Sequence, residues 1–532
     1  MMNTAPRNEV GWSEPRSLYR VAQVRAFDAY AIEVLGVSGF TLMQRAAGAA
    51  WGALHCRWPQ ARRVVVATGS GNNGGDGWLV AGLARAAGLD VSVLCTALPA
   101  QLRGDARRAA EEYVAGGGTV LAYPAVSATH VLAGADVVVD ALLGTGLHEA
   151  VRSPYVEIIA ALNASGRAIL ALDLPSGLNG DTGEVMGAAV RADCTVTFVA
   201  AKTGLYLGAG PEHTGQVLLD ELQIGPAVAV RDMTGQPVLE VLSERDVRCA
   251  LPARARQANK GDFGRVLLMG SGPGMPGAVR LAGEACLHCG AGLVTTMTAA
   301  ENVSSIATGR PELICIGLAV PATASATSDV LAQWAAQLTP ALAAASVVAI
   351  GPGLGTGEWS RALLDAALSC GKPLVIDADG LNLLAQGLLA QGGRRLAAGT
   401  ILTPHPGEAA RLLGSTSSQI QADRFGALER LVALTGAVVI LKGAGTLIGA
   451  PGRVAVLCTH GNPGMAAAGM GDVLTGAVAG ILAQCRDPWL AARAAVMAHA
   501  LAGDALARRV GARGILALDL AASLTGWVNG VA

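Results

Sequence analysis

Charged and aromatic side chains are scarce in this chain of 532 residues. Asp, Glu, Lys and Arg make up 15% of it, and Phe, Trp and Tyr make up 4%. The 39 basic and 40 acidic residues leave a formal net charge of −1. Electrostatic binding to nucleic acid or to an anionic membrane requires a basic excess, so we expect neither partner.

Closely spaced cysteines and long uninterrupted apolar runs are also rare. Of ten cysteines, only Cys286 and Cys289 lie close together in the sequence, and for this pair core packing is a better explanation than metal binding. The longest charge-free stretch, 330–357, is interrupted by Pro340 and by the Gly351-Pro352-Gly353 turn. Residues 1–17 resemble neither a secretory signal nor a transit peptide. We therefore expect a soluble cytoplasmic protein with reduced cysteines.

Apolar residues (52%) and glycines (70) are abundant, and the order in which they occur predicts an α/β fold. In both halves, short β-branched runs alternate with helical patterns, which is typical of parallel sheets covered on both faces. An amphipathic stretch at 18–53 predicts two helices, and an irregular segment at 224–238 predicts a linker between domains 1–228 and 236–532. The other predicted elements are strands at 62–68, 90–95, 135–140, 167–173, 194–200, 265–269, 293–297, 347–350, 374–376, 400–402 and 437–441, and helices at 77–87, 105–115, 154–165 and 473–484.

Polar loops follow three predicted strands of the first half. A glycine-rich turn at 69–77 follows the first strand, and Asp140 and Asp173 end two others, with Ser176 just beyond. Because strand carboxyl ends meet at one edge of a parallel sheet, Asn73, Asp140, Asp173 and Ser176 should converge. Their oxygens suit a hard cation, and Asp173 could act as an acid or base. The alternative is that the aspartates cap the following turns and the glycines only permit a tight turn.

Lysine, present only four times, marks loops in both halves. Lys202, Lys260 and Lys442 lie in glycine-containing loops, which suggests that a compact ammonium is needed there. In the second half, the small residues at 464–471 precede a helix and predict an anion hole, with Asp472 beside it as a general base. An Asp favoured only by the helix dipole would not explain the glycines. His405, held between two prolines, is predicted to line a pocket.

Taken in order, these motifs resemble the family of bifunctional NAD(P)H-hydrate repair enzymes, also called the Nnr or YjeF family. The resemblance covers about 19–524 and includes the strings GNNGGDG, VDALLGTGL, LDLPSGLNGDTG, LTPHPGEAARLL, LKGAGTLI and GNPGMAAAGMGDVLTG. It implies a Rossmann-like three-layer epimerase domain followed by a ribokinase-like dehydratase domain. The first would interconvert the R and S hydrates of NADH and NADPH. The second would dehydrate the S hydrate with ADP, and Mg²⁺ would accompany the nucleotide.

The resemblance also assigns roles to individual residues. Asp173 and Asp472 would be catalytic, and Asn73, Asp140 and Ser176 would hold K⁺. Lys442, Gly443, Ala444, Gly445, Thr446 and Gly471 would bind ADP. The hydrate would be bound by Asn72, Asn73, Gly74, Gly75, Asp76, Gly144, Thr145, Gly146, Leu147, His148, Glu149, Ala150 and Asp173 in the first half, and by Ala278, Gly353, His405 and Asp472 in the second. A homo-oligomer is expected.

Two other functions compete with this interpretation. A small-molecule kinase of the ribokinase or hydroxymethylpyrimidine type would also place Asp472 beside an anion hole, but it has no need for the fused first half. A nucleotide-sensing or protein-binding first half would need no catalytic groups, although Asp140, Asp173 and Ser176 are all present.

Overall fold

A computed structural model describes residue 12 and residues 15–224, 235–320, 328–390 and 395–531. The chain divides into two compact units, Met1–Leu239 and Glu240–Ala532. Most of the predicted linker, 225–234, lies outside the described residues. The domain boundaries predicted from sequence stay a prediction.

The N-terminal unit is built on a seven-stranded parallel sheet whose order is β4-β3-β2-β5-β6-β7-β9. The strands of this unit are β1 Ser17–Tyr19, β2 Arg63–Thr68, β3 Asp90–Cys95, β4 Thr119–Ala122, β5 Val137–Ala141, β6 Ala168–Leu172, β7 Cys194–Phe198, β8 Ala201–Lys202 and β9 Gln216–Asp220. Strands β1 and β8 are not part of the seven-stranded sheet and pair with each other in parallel. The helices of this unit are α1 Val21–Glu33, α2 Gly39–Arg57, α3 Asn72–Ala86, α4 Gly104–Ala115, α5 Ala128–Ala133, α6 Tyr155–Ala164 and α7 Gly210–His213.

The strand order reverses direction between β2 and β5, and this reversal positions the first site. In an open parallel sheet, the loops that follow the two central strands diverge and leave a crevice beyond their carboxyl ends. Here β2 leads into α3, and β5 leads into the loop that begins at Leu142. The buried apolar faces of these strands hold the sheet between two helical layers. The crevice therefore gathers the polar loops of several strands.

The C-terminal unit has nine strands that pair in the order β13-β12-β11-β14-β15-β16-β17-β18-β19. The pairs are parallel up to β17, and β17-β18 and β18-β19 are antiparallel. The strands from the boundary onward are β10 Leu239–Val241, β11 Arg265–Met269, β12 Leu293–Ala299, β13 Leu313–Leu318, β14 Val347–Ile350, β15 Leu374–Ile376, β16 Thr400–Leu402, β17 Val438–Leu441, β18 Thr446–Gly449 and β19 Ala455–Cys458.

Helices cover this second sheet and reach their closest approach between α9 and α17. A Cβ at Gly476 would lie 2.0 Å from the carbonyl oxygen of Ala282, so only glycine permits this contact. The helices are α8 Glu244–Ala250, α9 Gly277–His288, α10 Val303–Ala307, α11 Ser328–Ala344, α12 Glu358–Ser369, α13 Ala378–Ala390, α14 Pro406–Leu413, α15 Ser417–Ala422, α16 Arg424–Thr435, α17 Met470–Cys485, α18 Pro488–Val510 and α19 Ala517–Asn529.

Within the described residues, one helix, α18, is long and apolar enough to cross a membrane by length and composition. Its most apolar stretch is 67% buried inside the protein. Burial of this kind is expected of a core helix, and Ala494, Ala498 and Ala502 are fully covered. The apolar surface of this helix is therefore buried by packing within the unit.

Every predicted strand has a counterpart in the structure, and so do the two helices predicted at 18–53. Cys286 and Cys289 are buried in the core, as predicted. The glycine-rich turn is wrong for residues 72–77, because α3 already begins at Asn72. Its glycines allow close packing instead: a Cβ at Gly74 would lie 2.2 Å from the Gly69 carbonyl oxygen, and one at Gly77 would lie 2.5 Å from the Ala141 Cβ. The β18-β19 hairpin and the strands β4, β9 and β13 were not predicted.

Candidate active sites

A cavity of about 750 Å³ opens at the carboxyl edge of the N-terminal sheet. Its polar lining includes Asp28 of α1, Asn72, Asn73 and Asp76 of α3, and the 144–147 loop. Asp173 and Lys202 line it from the ends of β6 and β8. This volume is in the range of small-molecule sites, and the polar groups come from several different elements.

Asp173 and Lys202 form an ion pair in this cavity. The lysine ammonium donates to the Asp173 carboxylate and also to the Thr197 hydroxyl at 3.1 Å and the Phe198 carbonyl at 2.9 Å. Its side chain is 1% exposed, whereas that of Asp173 is 16% exposed. Asp173 adopts a left-handed backbone conformation (φ +64°), which Asp and Asn tolerate better than most residues. The strand end therefore turns its carboxylate toward the cavity and holds it there with a buried cation.

Two further carboxyl groups share this cavity with Asp173. Burial raises the pKa of Asp76 well above its usual value, and the neighbouring Asp173 and Asp28 raise it further. Burial also raises the pKa of Asp28 to about 6, with Lys202 opposing and Asp173 adding to the shift. Three acids and one lysine therefore share this cavity, and the raised pKa values of Asp76 and Asp28 favour their protonated forms. The cavity can both give and take protons.

The three residues predicted to hold K⁺ lie next to one another. Ser176 donates to the Asp140 carboxylate from its hydroxyl (2.6 Å) and from its backbone amide (2.8 Å). The Asn73 amide nitrogen and the Ser176 hydroxyl both reach the Leu143 carbonyl at 3.2 Å. The buried Oδ1 of Asn73 has no hydrogen-bond partner among the described residues. Burial raises the pKa of Asp140 to about 6. An unsatisfied oxygen beside a buried carboxylate fits a cation.

Not every predicted substrate residue of the first half reaches the cavity. Asn72, Asn73, Asp76, Gly144, Thr145, Gly146, Leu147 and Asp173 belong to its described lining. Gly74 and Gly75 are buried beneath it, where a Cβ at Gly75 would meet the Met43 side chain at 2.6 Å. His148, Glu149 and Ala150 are exposed and lie outside that lining, and the Glu149 carboxylate pairs with Arg152 at 2.7 Å.

The second site is organised by Asp377, at the end of β15. Its two carboxylate oxygens accept from the Lys442 ammonium at 2.7 Å and from the Thr475 hydroxyl of α17 at 2.7 Å. Although burial lowers the pKa of Lys442, Asp377 and Glu408 raise it overall, so the lysine is charged. Asp377 thus ties the β17 end to the start of α17 through one buried carboxylate.

Asp472 lies in the first turn of α17, as predicted, within the field of this ion pair. Burial raises its pKa to about 7, Asp377 adds to the increase and Lys442 opposes it. The helix begins after Gly469, whose φ of +85° is left-handed. A Cβ at Gly471 would lie 3.3 Å from the Lys442 ammonium, so this ammonium lies close to the α17 backbone at the first turn. First-turn amides, the helix dipole and the lysine together favour a phosphoryl group.

His405 is connected to Lys442 through Glu408. The imidazole Nε2 lies 3.3 Å from one Glu408 oxygen, and the other oxygen lies 3.9 Å from the lysine ammonium. His405 Nδ1 accepts from the Gly407 amide at 2.9 Å. Burial lowers the pKa of His405, and Lys442 and Arg411 lower it further. His405 is therefore neutral near pH 7, and its side chain is 51% exposed, so it is accessible to a bound substrate.

The loop predicted to bind the nucleotide, 442–446, joins β17 to β18. Gly443 and Gly445 adopt positive φ values of 143° and 67°. The buried Arg424 guanidinium lies behind the loop and donates to the Leu441 and Gly445 carbonyls, each at 3.2 Å. Because these two carbonyls accept from Arg424, the guanidinium holds the loop in place. The Lys442 ammonium donates to Asp377 at 2.7 Å, which holds it beside the start of α17, and its contact with ADP stays a prediction.

The remaining predicted contacts of the second half adjoin one another. A Cβ at Gly353 would lie 3.0 Å from the Ala278 Cβ, so the loop after β14 touches the first turn of α9. The side chains that sequence reasoning did not assign to a site are Lys202, Asp28, Asp377, Glu408 and Arg424. Asp377 follows a strand just as Asp140 and Asp173 do, and applying the same rule to β15 would have found it.

Two family models match this chain, one in each unit. The model described as "YjeF-related protein N-terminus" matches residues 39–204, and the one described as "NAD(P)H-hydrate dehydratase" matches residues 266–525. The first span contains Asn73, Asp140, Asp173 and Lys202, and the second contains Asp377 and Asp472. Both sites therefore fall inside matched regions.

Curated relatives match along nearly the whole chain. The bifunctional NAD(P)H-hydrate repair enzyme Nnr of Coxiella burnetii is 43% identical over 512 residues, which cover 96% of this chain and 99% of the relative. The enzyme of the same name from Escherichia coli is 39% identical over 527 residues, covering 99% and 96%.

Solved structures resemble one half of the chain. A ribokinase-like superfamily protein from Enterococcus faecalis has a TM-score of 0.49 at 29% identity and covers 56% of this chain and 97% of its own. An ADP/ATP-dependent NAD(P)H-hydrate dehydratase from Bacillus subtilis, co-crystallised with ATP and Mg²⁺, has a TM-score of 0.47 at 28% identity and covers 55% and 98%. On the full-length identity to its curated relatives, this chain belongs to the family of bifunctional NAD(P)H-hydrate repair enzymes.

Proposed function

We propose that this chain repairs hydrated NADH and NADPH by two reactions at two sites. The N-terminal site interconverts the R and S hydrates, and the C-terminal site dehydrates the S hydrate with ADP, releasing AMP and phosphate. The observation that carries this proposal is that each unit has its own acid–lysine pair at the carboxyl edge of its own sheet. Asp173 pairs with Lys202 in one unit, and Asp377 pairs with Lys442 beside Asp472 in the other.

Epimerisation requires the hydroxyl to leave one face of the ring and return on the other. A carboxyl group donates a proton to the hydroxyl oxygen, the C–O bond breaks, and the ring-nitrogen lone pair forms a C=N bond. Water then attacks the opposite face while a carboxylate accepts its proton. Asp173 is placed to transfer one of these protons, and the buried Lys202 holds its carboxylate in position.

Dehydration requires a better leaving group than hydroxide. Asp472 takes the proton of the substrate hydroxyl as the oxygen attacks the β-phosphorus of ADP, and AMP departs. The ring-nitrogen lone pair then expels phosphate, and loss of a ring proton restores the dihydropyridine. The start of α17 and the Lys442 ammonium stabilise the negative charge that develops on phosphorus. Asp377 positions Lys442 for this role.

Two cations complete the proposal. Asn73, Asp140 and Ser176 would hold K⁺, which when bound supplies fixed positive charge beside the 144–147 loop of the cavity. In the second unit, Asp377 lies close enough to Asp472 to raise its pKa, and two neighbouring carboxyl groups suit a Mg²⁺ ion carried by the diphosphate. Among the described residues, no group of three or more His, Cys, Asp or Glu side chains forms a metal cage.

The proposed function predicts full recovery of damaged cofactor. When acid-treated NADH, a mixture of R and S hydrates, is incubated with this protein, ADP and Mg²⁺, the dihydronicotinamide absorbance should return completely. Without ADP the absorbance should not return, although chromatography should show the two hydrates interconverting. Recovery without ADP, or phosphorylation of a stable alcohol at comparable rate, would instead favour a different activity for the C-terminal site.

The cation site predicts a dependence on K⁺ in the first reaction only. Replacing K⁺ by a bulky organic cation should slow epimerisation and leave dehydration of purified S hydrate unchanged. K⁺ should also raise the melting temperature of the wild-type chain, because a ligand bound to the folded state stabilises it. Asn73→Leu, which removes the unsatisfied oxygen, should abolish that increase. An equal K⁺ effect on the variant would place the ion elsewhere.

The assignment of Asp472 as the general base predicts that dehydration depends on pH. A general base must be ionised, and the pKa of Asp472 is raised to about 7, mainly by burial. The kcat/KM for the S hydrate should therefore fall about tenfold per unit as pH decreases below about 7, and level off above it. Initial rates with purified S hydrate, measured from about pH 5 to about pH 9, would test this. A profile flat down to pH 5 would exclude Asp472 as the base.

Cytoplasmic location, homo-oligomeric assembly and the absence of nucleic-acid and membrane partners stay predictions from the sequence.

A further inference from the structure

Helix α1 forms one wall of the N-terminal cavity, although it precedes the matched family region, which begins at residue 39. Val21, Val24, Asp28 and Ile32 recur at helical spacing on the cavity side of α1. Arg25, on the same side, donates to the Thr145 carbonyl at 2.9 Å, which ties the helix to the loop across the cavity opening. This hydrogen bond fixes helix α1 against the 144–147 loop.

Asp28 is the carboxyl group that this wall presents to the cavity. Its electrostatic neighbours are Lys202, Asp173 and Asp76, all of which also line the cavity. The other charged residues of the lining are Arg25 and Asp105. Lys202 donates its hydrogen bonds to Asp173, Thr197 and Phe198. Asp28 therefore lies within reach of the same substrate from a different structural element, the helix rather than the sheet edge.

The reaction proposed for this cavity requires proton transfer on both faces of the ring. The R and S hydrates carry the hydroxyl on opposite faces, so a single fixed carboxylate cannot serve both equally well. The second group must donate a proton in one direction of the reaction and accept it in the other. Asp76 lies on α3, which follows β2 at the same sheet edge that supplies Asp173, so both carboxyl groups reach the cavity from that edge. Asp28 is only partly buried and faces the open cavity.

We propose that Asp28 is a second acid–base residue of the epimerase site, serving the face of the ring opposite to that served by Asp173. This inference rests on the proposed epimerase function. When the hydroxyl leaves the Asp28 face, Asp28 gives it a proton and water departs with the electron pair of the C–O bond. The ring-nitrogen lone pair forms the C=N bond, water adds at the other face, and Asp173 takes the proton released. The reverse reaction exchanges the two roles.

Oxygen exchange separates this role from a structural one. Asp28→Asn is made in the full chain, and each purified hydrate is incubated in ¹⁸O-labelled water without ADP. Mass spectrometry follows oxygen incorporation, and chromatography follows epimerisation, with the uncatalysed rate subtracted. We expect epimerisation to fall by about 100-fold. One hydrate should still exchange its oxygen near the wild-type rate and the other should not. Asp173→Asn should show the opposite preference.

Two controls keep the outcomes distinct. Glu33→Gln, which removes an exposed carboxylate from the same helix, should epimerise like wild type. Dehydration of S hydrate with ADP should be unchanged in Asp28→Asn, which shows that the C-terminal unit is intact, and the oxygen exchange kept by one hydrate shows that the N-terminal cavity is intact. The inference is overturned if Asp28→Asn epimerises within about threefold of wild type, or if both hydrates lose oxygen exchange equally. If the wild-type chain itself fails to epimerise, the proposed function fails, and Asp28 has no such role.

Discussion

Asp472→Asn should lower ADP-dependent dehydration of the S hydrate by about 10² to 10⁴-fold, the usual contribution of a general base. Asn keeps the size of the side chain and its place in the first turn of α17 but cannot accept the hydroxyl proton. Epimerisation should continue at the wild-type rate, because the N-terminal cavity contains none of the residues of this site. The measurement is the initial rate of absorbance recovery from purified S hydrate.

A matched control tests whether Asp472 only stabilises its helix. Asp519 is exposed in the first turn of α19 in the same unit, so Asp519→Asn removes the same kind of helix-dipole interaction, worth about 0.3 to 1 kcal/mol. That variant should dehydrate normally. If Asp472→Asn keeps more than about a tenth of the wild-type rate, Asp472 is not the base, and its place in the helix is structural.

Asp173→Asn should produce the second large loss, a decrease in epimerisation of about 10² to 10⁴-fold. Asn is the correct substitution because residue 173 has a φ of +64°, where Ala would add backbone strain. With ADP, the variant should recover only the S part of an acid-treated mixture and leave the R hydrate behind. Chromatography of the remaining hydrates would show this directly.

Stability must be measured alongside, because the substitution removes a charge from beside a buried lysine. Removing one partner of a buried ion pair costs about 3 to 5 kcal/mol, so the melting temperature should fall, although Lys202 keeps its hydrogen bonds to Thr197 and Phe198. Glu184→Gln, which removes an exposed carboxylate in the same unit, should behave like wild type in both assays. Complete recovery of an R and S mixture by Asp173→Asn would show that another group performs the proton transfer.

The strand-end rule predicted that Asn73, Asp140 and Ser176 would converge, and the structure places them together for a physical reason. Parallel strands deliver their carboxyl ends to one edge, so the positions of Asp140, Asp173 and Ser176 followed from where the β-branched runs stop. Asn73 was placed correctly although its local structure was not. Helix propensity disfavours glycine, yet the close approach of α3 to the loop at Gly69 and to Ala141 requires it, and packing prevails over propensity.

Residues that act through tertiary contacts could not be found in this way. Asp28 lies on an amphipathic helix whose sequence does not show which polar position faces a cavity. Arg424 supports the 442–446 loop from another helix, and only the fold brings them together. Lysine scarcity identified Lys202 and Lys442 as special, but their partners, Asp173 and Asp377, became evident only from the structure.

Mixing the two variants tests most directly whether one chain carries two separately complete sites. Asp173→Asn and Asp472→Asn, each alone, should fail to recover the full absorbance of acid-treated NADH in the time that wild type needs. An equimolar mixture with ADP should recover it completely, since the hydrates diffuse from one chain to the other. If the mixture recovers no more than Asp173→Asn alone, the assignment of one reaction to each unit is contradicted.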